Sequence, residues 1–178
     1  MDFTEKTVDT REIYNGRIIH VKEDTVQLPD GTLAGRELVM HHGGVGIIAV
    51  DEDRNVLCVR QYRKPYDEMV LEIPAGKLEP GEEPKAAGVR ELREETGYDA
   101  EKITYLGKYY PTPGYCSEII SLYLAENLSY VGQNLDDGEF IEVEKIPLNT
   151  LVDMTMNNEI FDAKTAIAIL KADKIINK

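Results

Sequence analysis

Gly76-Lys77-Leu78-Glu79-Pro80-Gly81-Glu82, followed after seven residues by Arg90-Glu91-Leu92-Arg93-Glu94-Glu95-Thr96-Gly97-Tyr98, decides how this chain is read. The spacing predicts a helix over residues 84–96. Pro84 suits the first turn, where a missing N–H costs nothing, and Gly97 stops the helix at its C-terminus. On a helical wheel Glu91, Glu94 and Glu95 share an arc of about 100°. Val89, Leu92 and Thr96 lie on the opposite side and are expected to face the core. The acidic arc works against the helix: Glu91 and Glu95 repel at i,i+4, at a cost of roughly 0.2–0.5 kcal/mol. Glu94 and Glu95 also stand in the last turn, where the macrodipole disfavours anions. Local choices that oppose stability in one place mark a functional site. A hard divalent cation resolves them all, since magnesium takes carboxylate oxygens and bridges to phosphates. Three glutamates by themselves would fit a solvated acidic face equally well, so the surroundings matter.

Working outward, Val70 to Ile73 is a short strand ended by Pro74, and Val45 to Val50 is an apolar run suited to a buried strand. Arg54 to Tyr62 is its hairpin partner across Asp51-Glu52-Asp53. Lys102 to Tyr110, Ile119 to Leu124 and Phe140 to Ile146 complete the strands on this side. A second helix starts near Asp162, a good N-cap, with Ala163, Ala166, Ile167 and Leu170 at i, i+3, i+4, i+7. Upstream, alternation from Gly16 to Leu28 and from Leu33 to His41 predicts a β-hairpin around Pro29-Asp30-Gly31. The result is an α/β (α+β) chain with a mixed sheet and two principal helices, divided into an N-terminal β-hairpin segment, 1–43, and a main domain, 44–178.

At 178 residues, with 42% hydrophobic and 30% charged side chains, the chain can bury a full core. A net charge of −13 excludes generic nucleic-acid binding, which needs a basic surface. No apolar stretch is long enough for a membrane span. Residues 1–6 have no secretory h-region, and Cys58 and Cys116 read as reduced thiols, so a cytoplasmic location is expected. An anionic substrate would need local positive charge from metal ions and a few arginines. His20, His41 and His42 receive no metal role, because neighbours in a strand point to opposite faces.

The quoted stretch resembles the Nudix box: Gly, five residues, Glu, seven residues, then Arg-Glu-apolar-x-Glu-Glu-x-Gly-apolar. Every fixed position is present, and only Tyr98 departs from the usual aliphatic residue. The resemblance implies a Nudix α/β/α sandwich and a hydrolase dependent on Mg²⁺, with Mn²⁺ as the alternative. It implies Glu91, Glu94 and Glu95 as metal ligands, Glu82 supporting them directly or through water, and the Ala75 carbonyl as a further ligand. Arg90 would pin the glutamates by charge-assisted hydrogen bonds.

Flanking residues resemble the ADP-ribose pyrophosphatase branch of that family. Glu72-Ile73-Pro74-Ala75 leads into the box, and Val59-Arg60-Gln61-Tyr62-Arg63 is similar to the strand that carries a phosphate-binding arginine, aligned with Arg63. Pro113, sixteen residues beyond Gly97, is similar to the branch marker. Glu118 fits beside it, and Arg36 aligns with a second substrate arginine. Tyr115 is a neighbour for adenine or ribose, or simply packs. Asp136-Asp137-Gly138-Glu139-Phe140 resembles an acidic loop that delivers a catalytic glutamate. The catalytic set implied is Glu139, Glu94 and Arg90, with Glu118 and Glu142 as rivals to Glu139 for the base. The implied reaction is hydrolysis of ADP-ribose to AMP and ribose 5-phosphate, by a homodimer whose 1–43 segment takes part in dimerisation. The alternatives are another nucleoside diphosphate sugar or a flavin or nicotinamide dinucleotide, a regulatory module that binds ADP-ribose without cutting it, and an isomerase that would need a catalytic cysteine.

Overall fold

The computed structural model describes residues 2–135 and 138–178, so Asp136 and Asp137 of the acidic loop lie outside the described residues. Contacts divide the chain into two compact units. One runs to Gly43 and takes in Tyr110–Ile119; the other comprises Gly44–Tyr109 and Ile120–Lys178.

The first unit is a three-stranded antiparallel sheet, β1 (Lys6–Asn15), β2 (His20–Gln27) and β3 (Leu33–Met40), in that order. The expected hairpin is β2–β3, tightened by Gly31 at φ 87° and by the Asp30 side chain accepting the Thr32 N–H at 3.0 Å. It is not a bare hairpin, however, because β1 adds a third strand. Every residue of β1 is exposed, so no alternating apolar face announced it in the sequence. Asp24, 4% exposed, ties β2 to β1 by accepting the Thr10 hydroxyl at 2.8 Å. The sequence division put Tyr110–Ile119 in the main domain; it joins this unit because it pairs along β3. Val39 N–H donates to Tyr115 O at 2.8 Å, and Ser117 N–H to Val39 O at 2.9 Å.

The second unit is the sandwich. Its strands are β4 (Gly44–Val50), β5 (Asn55–Arg63), β6 (Glu68–Glu72), β7 (Ala75–Lys77), β8 (Tyr98–Tyr109), β9 (Ile120–Tyr130) and β10 (Ile141–Pro147). They run β10-β5-β4-β9-β8, with β6 on β5 and β7 on β4. The sheet is mixed, since β4 and β9 pair in parallel while β4 and β5 are antiparallel. Successive β4 side chains leave by opposite faces. Val45, Ile47 and Ala49 pack with Ala87 and Leu92 of α1 (Pro84–Thr96), while Ile48 and Val50 pack with Leu148, Leu151, Ala168 and Ile169. The latter come from α2 (Leu148–Met156) and α3 (Ala163–Ile176). Burial on both faces explains why β4 reads as an unbroken apolar run.

α1 has the expected bounds and α3 the expected cap, Asp162 Oδ2 accepting the Thr165 N–H at 2.9 Å. Two details differ. The fully buried residues of α3 are Thr165, Ala168, Ile169 and Ala172; of the expected face, Ala166 and Ile167 pack partly buried against the core, while Ala163 and Leu170 are exposed. The period is the same, and the face is turned so that a polar residue, Thr165, lies within it. On α1, Val89 is only half-buried, whereas Glu95 is 2% exposed and faces inward beside Leu92 and Thr96. Among the described residues no helix is long and apolar enough to cross a membrane.

Candidate active site

The site is built on the last two turns of α1 and on the strand that faces them. Arg90 is its hub. Its Nε donates to Glu82 Oε1 at 2.9 Å and its Nη2 to Glu82 Oε2 at 3.1 Å, while Nη1 reaches both Glu91 Oε1 and Glu94 Oε2 at 2.9 Å. One guanidinium therefore gathers three of the four box glutamates. The Glu82 hydrogen bond, followed by the charge of Glu91 and the hydrogen bond to Glu94, holds Arg90 far above its ordinary pKa against the effect of burial. Glu82 is correspondingly lowered, first by Arg90 and then by the Glu79 N–H it accepts at 3.0 Å.

Glu95 is the exception. Its carboxyl is buried and accepts one hydrogen bond, from Ala75 N–H at 3.0 Å. Burial, reinforced by the charge of Glu91, pushes it up to about 8. Glu91 is raised as well, chiefly by burial, although Arg90 opposes the shift. Two desolvated carboxyls side by side call for positive charge beyond Arg90. Among the described residues no three His, Cys, Asp or Glu side chains converge on one metal position, Arg90 occupying Glu82, Glu91 and Glu94. The donors are nonetheless all oxygen, and Glu95 is short of a cation. Such a set fits a hard divalent ion.

Two backbone features hold this geometry. Gly76 is pressed against Glu91: a Cβ there would fall 1.8 Å from Glu91 Oε1. The obstructing atom ends a flexible side chain, so Gly76→Ala is expected to fold normally while displacing the Glu91 carboxylate. Activity should drop on the order of 10–100-fold, with an unchanged melting curve; wild-type turnover in this variant would show that the Glu91 position does not matter. At the other end, Gln133 Nε2 donates to Glu95 O at 2.5 Å and Asn134 N–H to Glu94 O at 3.1 Å. These close orphan carbonyls at the C-terminus of α1. They hold Gln133 and Asn134 to α1, and Glu139 adds a charge that raises both Glu91 and Glu95.

The structure thus brings Ala75, Glu82, Arg90, Glu91, Glu94 and Glu95 together, and Glu139 lies near enough to add its charge to Glu91 and Glu95. Arg63 lies in the same unit, bound to Glu72 by Nε at 2.5 Å and Nη2 at 2.8 Å. Arg36, Pro113 and Glu118 belong to the first unit. There Arg36 is paired with Glu5 through Nε at 2.9 Å and Nη2 at 2.5 Å, and Glu118 lies 3.5 Å from His41 Nδ1. Tyr115 forms part of a hollow of about 430 Å³ in that unit, with Arg11, Val21, Glu37 and Val39. Glu142 and Glu144 flank Arg60 rather than the box: Glu144 bonds Arg60 Nε at 2.6 Å, and Glu142 adds its charge. Sequence reasoning gave no role to Glu72 or Lys164, which pair with each other beneath the site. Cys58, buried and pushed up to about 12 by desolvation, is unsuited to nucleophilic work.

A mixed sheet between helical layers, with a loop–helix–loop of carboxylates tied to one arginine, defines the Nudix class of fold. The NUDIX domain family matches residues 40–166, and the nucleoside diphosphate sugar hydrolase N-terminal domain family matches residues 5–39. The chain belongs to the Nudix family. It is 42% identical over 167 residues to an ADP-ribose pyrophosphatase of Bacillus subtilis (strain 168), covering 93% of this chain and 90% of that one. It is 41% identical over 169 residues to a methanol dehydrogenase activator of Bacillus methanolicus, covering 94% and 91%. The solved structure of an ADP compounds hydrolase shares the fold with a TM-score of 0.87 at 20% identity, covering 99% of this chain and 97% of that one.

Proposed function

We propose that this Nudix hydrolase cleaves the diphosphate of ADP-ribose to AMP and ribose 5-phosphate, using Mg²⁺ with Mn²⁺ as a substitute. The observation that carries the reading is the buried Glu95 carboxyl, which has no salt-bridge partner among the described residues, beside the half-buried Glu91 and an intact network of Arg90 with Glu82, Glu91 and Glu94. The relative named ADP-ribose pyrophosphatase supports the choice of substrate. Glu91, Glu94, Glu95 and the Ala75 carbonyl would hold the metal, with Glu82 in support. Bound there, it supplies an activated water and neutralises phosphate charge.

The chain's own groups do the rest. Arg90 orients Glu91 and Glu94 from below. Arg63, fixed along one edge by Glu72, offers its other edge to a phosphate oxygen. Glu139 takes the proton from the attacking water, because it bears on the site electrostatically but stands on a different segment from the ligands. Arg36, Pro113 and Glu118 are proposed to contact the remainder of the substrate. A panel of ADP-ribose, other nucleoside diphosphate sugars and dinucleotides at saturating Mg²⁺ tests this, with the highest kcat/KM expected for ADP-ribose. A preference for another member would move the substrate and leave the chemistry.

The relative named as an activator favours a second reading, a regulatory module that binds ADP-ribose without hydrolysis. Binding without turnover in the same panel would select it. The protein is proposed to be a symmetric dimer through the first unit, where Phe3, Val8, Ile13 and Tyr14 are all more than half exposed. Light scattering should give twice the 20.1 kDa chain mass; a fully active monomer at micromolar concentration would refute the dimer. The two free cysteines support a cytoplasmic location.

A further inference from the structure

Lys164 lies outside the box, yet it stands at a junction beneath it. Its side chain is 12% exposed and meets two carboxylates, Glu72 and, at 3.1 Å, Asp162. Glu72 is 2% exposed, and Arg63 grips its two oxygens. Lys164, Arg63, Glu72 and Asp162 together balance in charge, which a carboxylate this deep requires. Among the described residues Arg63 Nη1 makes no protein hydrogen bond, and the side chain is 38% exposed, so that edge is open.

The same turn of α3 fastens the neighbouring backbone. The Thr165 hydroxyl accepts the Ile73 N–H at 2.9 Å, and two residues on, Ala75 N–H donates to Glu95 at 3.0 Å. We propose that the first turn of α3 positions the phosphate end of the site, Lys164 holding Glu72 so that Arg63 keeps its open edge toward the substrate diphosphate. This rests on Arg63 as a phosphate ligand, as read above. Without Lys164 the cluster gains a net negative charge. Arg63 is then drawn more fully onto Glu72, and a diphosphate is repelled. Both effects weaken binding rather than chemistry.

Lys164→Met is therefore expected to raise KM for ADP-ribose roughly 10-fold or more, with kcat within about 3-fold of wild type. Lys164→Arg should restore KM. Lys164→Met should add little to Glu72→Gln, since both act through one carboxylate. A lower Tm with unchanged KM would make Lys164 a structural ion pair and overturn the proposal. Independent effects of the two substitutions would overturn it too, because Lys164 would not then act through Glu72. If Lys164→Met fails to fold, Lys164→Gln carries the same expectations. Calorimetric Kd values for ADP-ribose in EDTA separate this idea from the one it rests on. A wild-type enzyme that hydrolyses nothing sinks the reading of the site, whereas a Kd unaffected by Lys164→Met sinks the role of Lys164 alone.

Discussion

Glu95→Gln is expected to fold, to melt higher than the parent in metal-free buffer near neutral pH, and to lose several orders of magnitude in kcat. Glutamine keeps the size of the side chain and an oxygen to accept the Ala75 N–H. It removes a carboxyl that burial and Glu91 push up to about 8. The sign of the pH effect follows from that direction. A carboxyl whose folded pKa exceeds its unfolded one contributes stability that is complete below the ordinary value of 4.5 and lost as pH rises through about 8. Metal-free wild type should thus lose melting temperature between about pH 5 and pH 8.5, and the slope should be shallower in Glu95→Gln. Added Mg²⁺ should recover the loss in wild type and do less for the variant. Glu94→Gln should lose turnover similarly with a smaller gain in stability, since Glu94 is half-buried and held by Arg90. Near wild-type kcat at saturating Mg²⁺ in either variant would remove these residues from the metal site.

Glu139→Gln is expected to lower kcat by roughly 10²–10⁴-fold while KM and Mg²⁺ affinity change little. A residue that holds metal is a poor proton acceptor, because its lone pairs and charge are engaged. Glu91, Glu94 and Glu95 lie on one rigid helix and face one another. Glu139 reaches the same field from the segment after Asn134, which is tied to the end of α1. Of its rivals, Glu142 bears on Arg60, and Glu118 is engaged by His41 within its own unit. Loss of Mg²⁺ affinity along with turnover would make Glu139 a ligand. Unchanged turnover would return the base to Glu118, Glu142 or the box.

What could be read ahead of the structure follows from how local each signal is. Pro84 and Gly97 bracket α1 within thirteen residues, and the box needs only spacing, so helix and carboxylates were both legible. β1 was not, because Lys6–Asn15 buries nothing and shows no alternating face. α2 escaped because Pro147 gives it no side-chain cap and only Leu148 and Leu151 are buried. The three residues of β7 are too few to show a period. The inward turn of Glu95 runs against every burial preference and is imposed by the strand it faces. Lys164 and Glu72 are 92 residues apart, so their pairing exists only once α3 has packed.

The most direct measurement is the rate of ADP-ribose hydrolysis as a function of free Mg²⁺, with both products quantified. The account predicts no turnover in EDTA, saturable recovery on adding Mg²⁺, and AMP and ribose 5-phosphate in equal amounts. Metal-independent turnover, or no cleavage of any nucleoside diphosphate compound at saturating Mg²⁺, would contradict it.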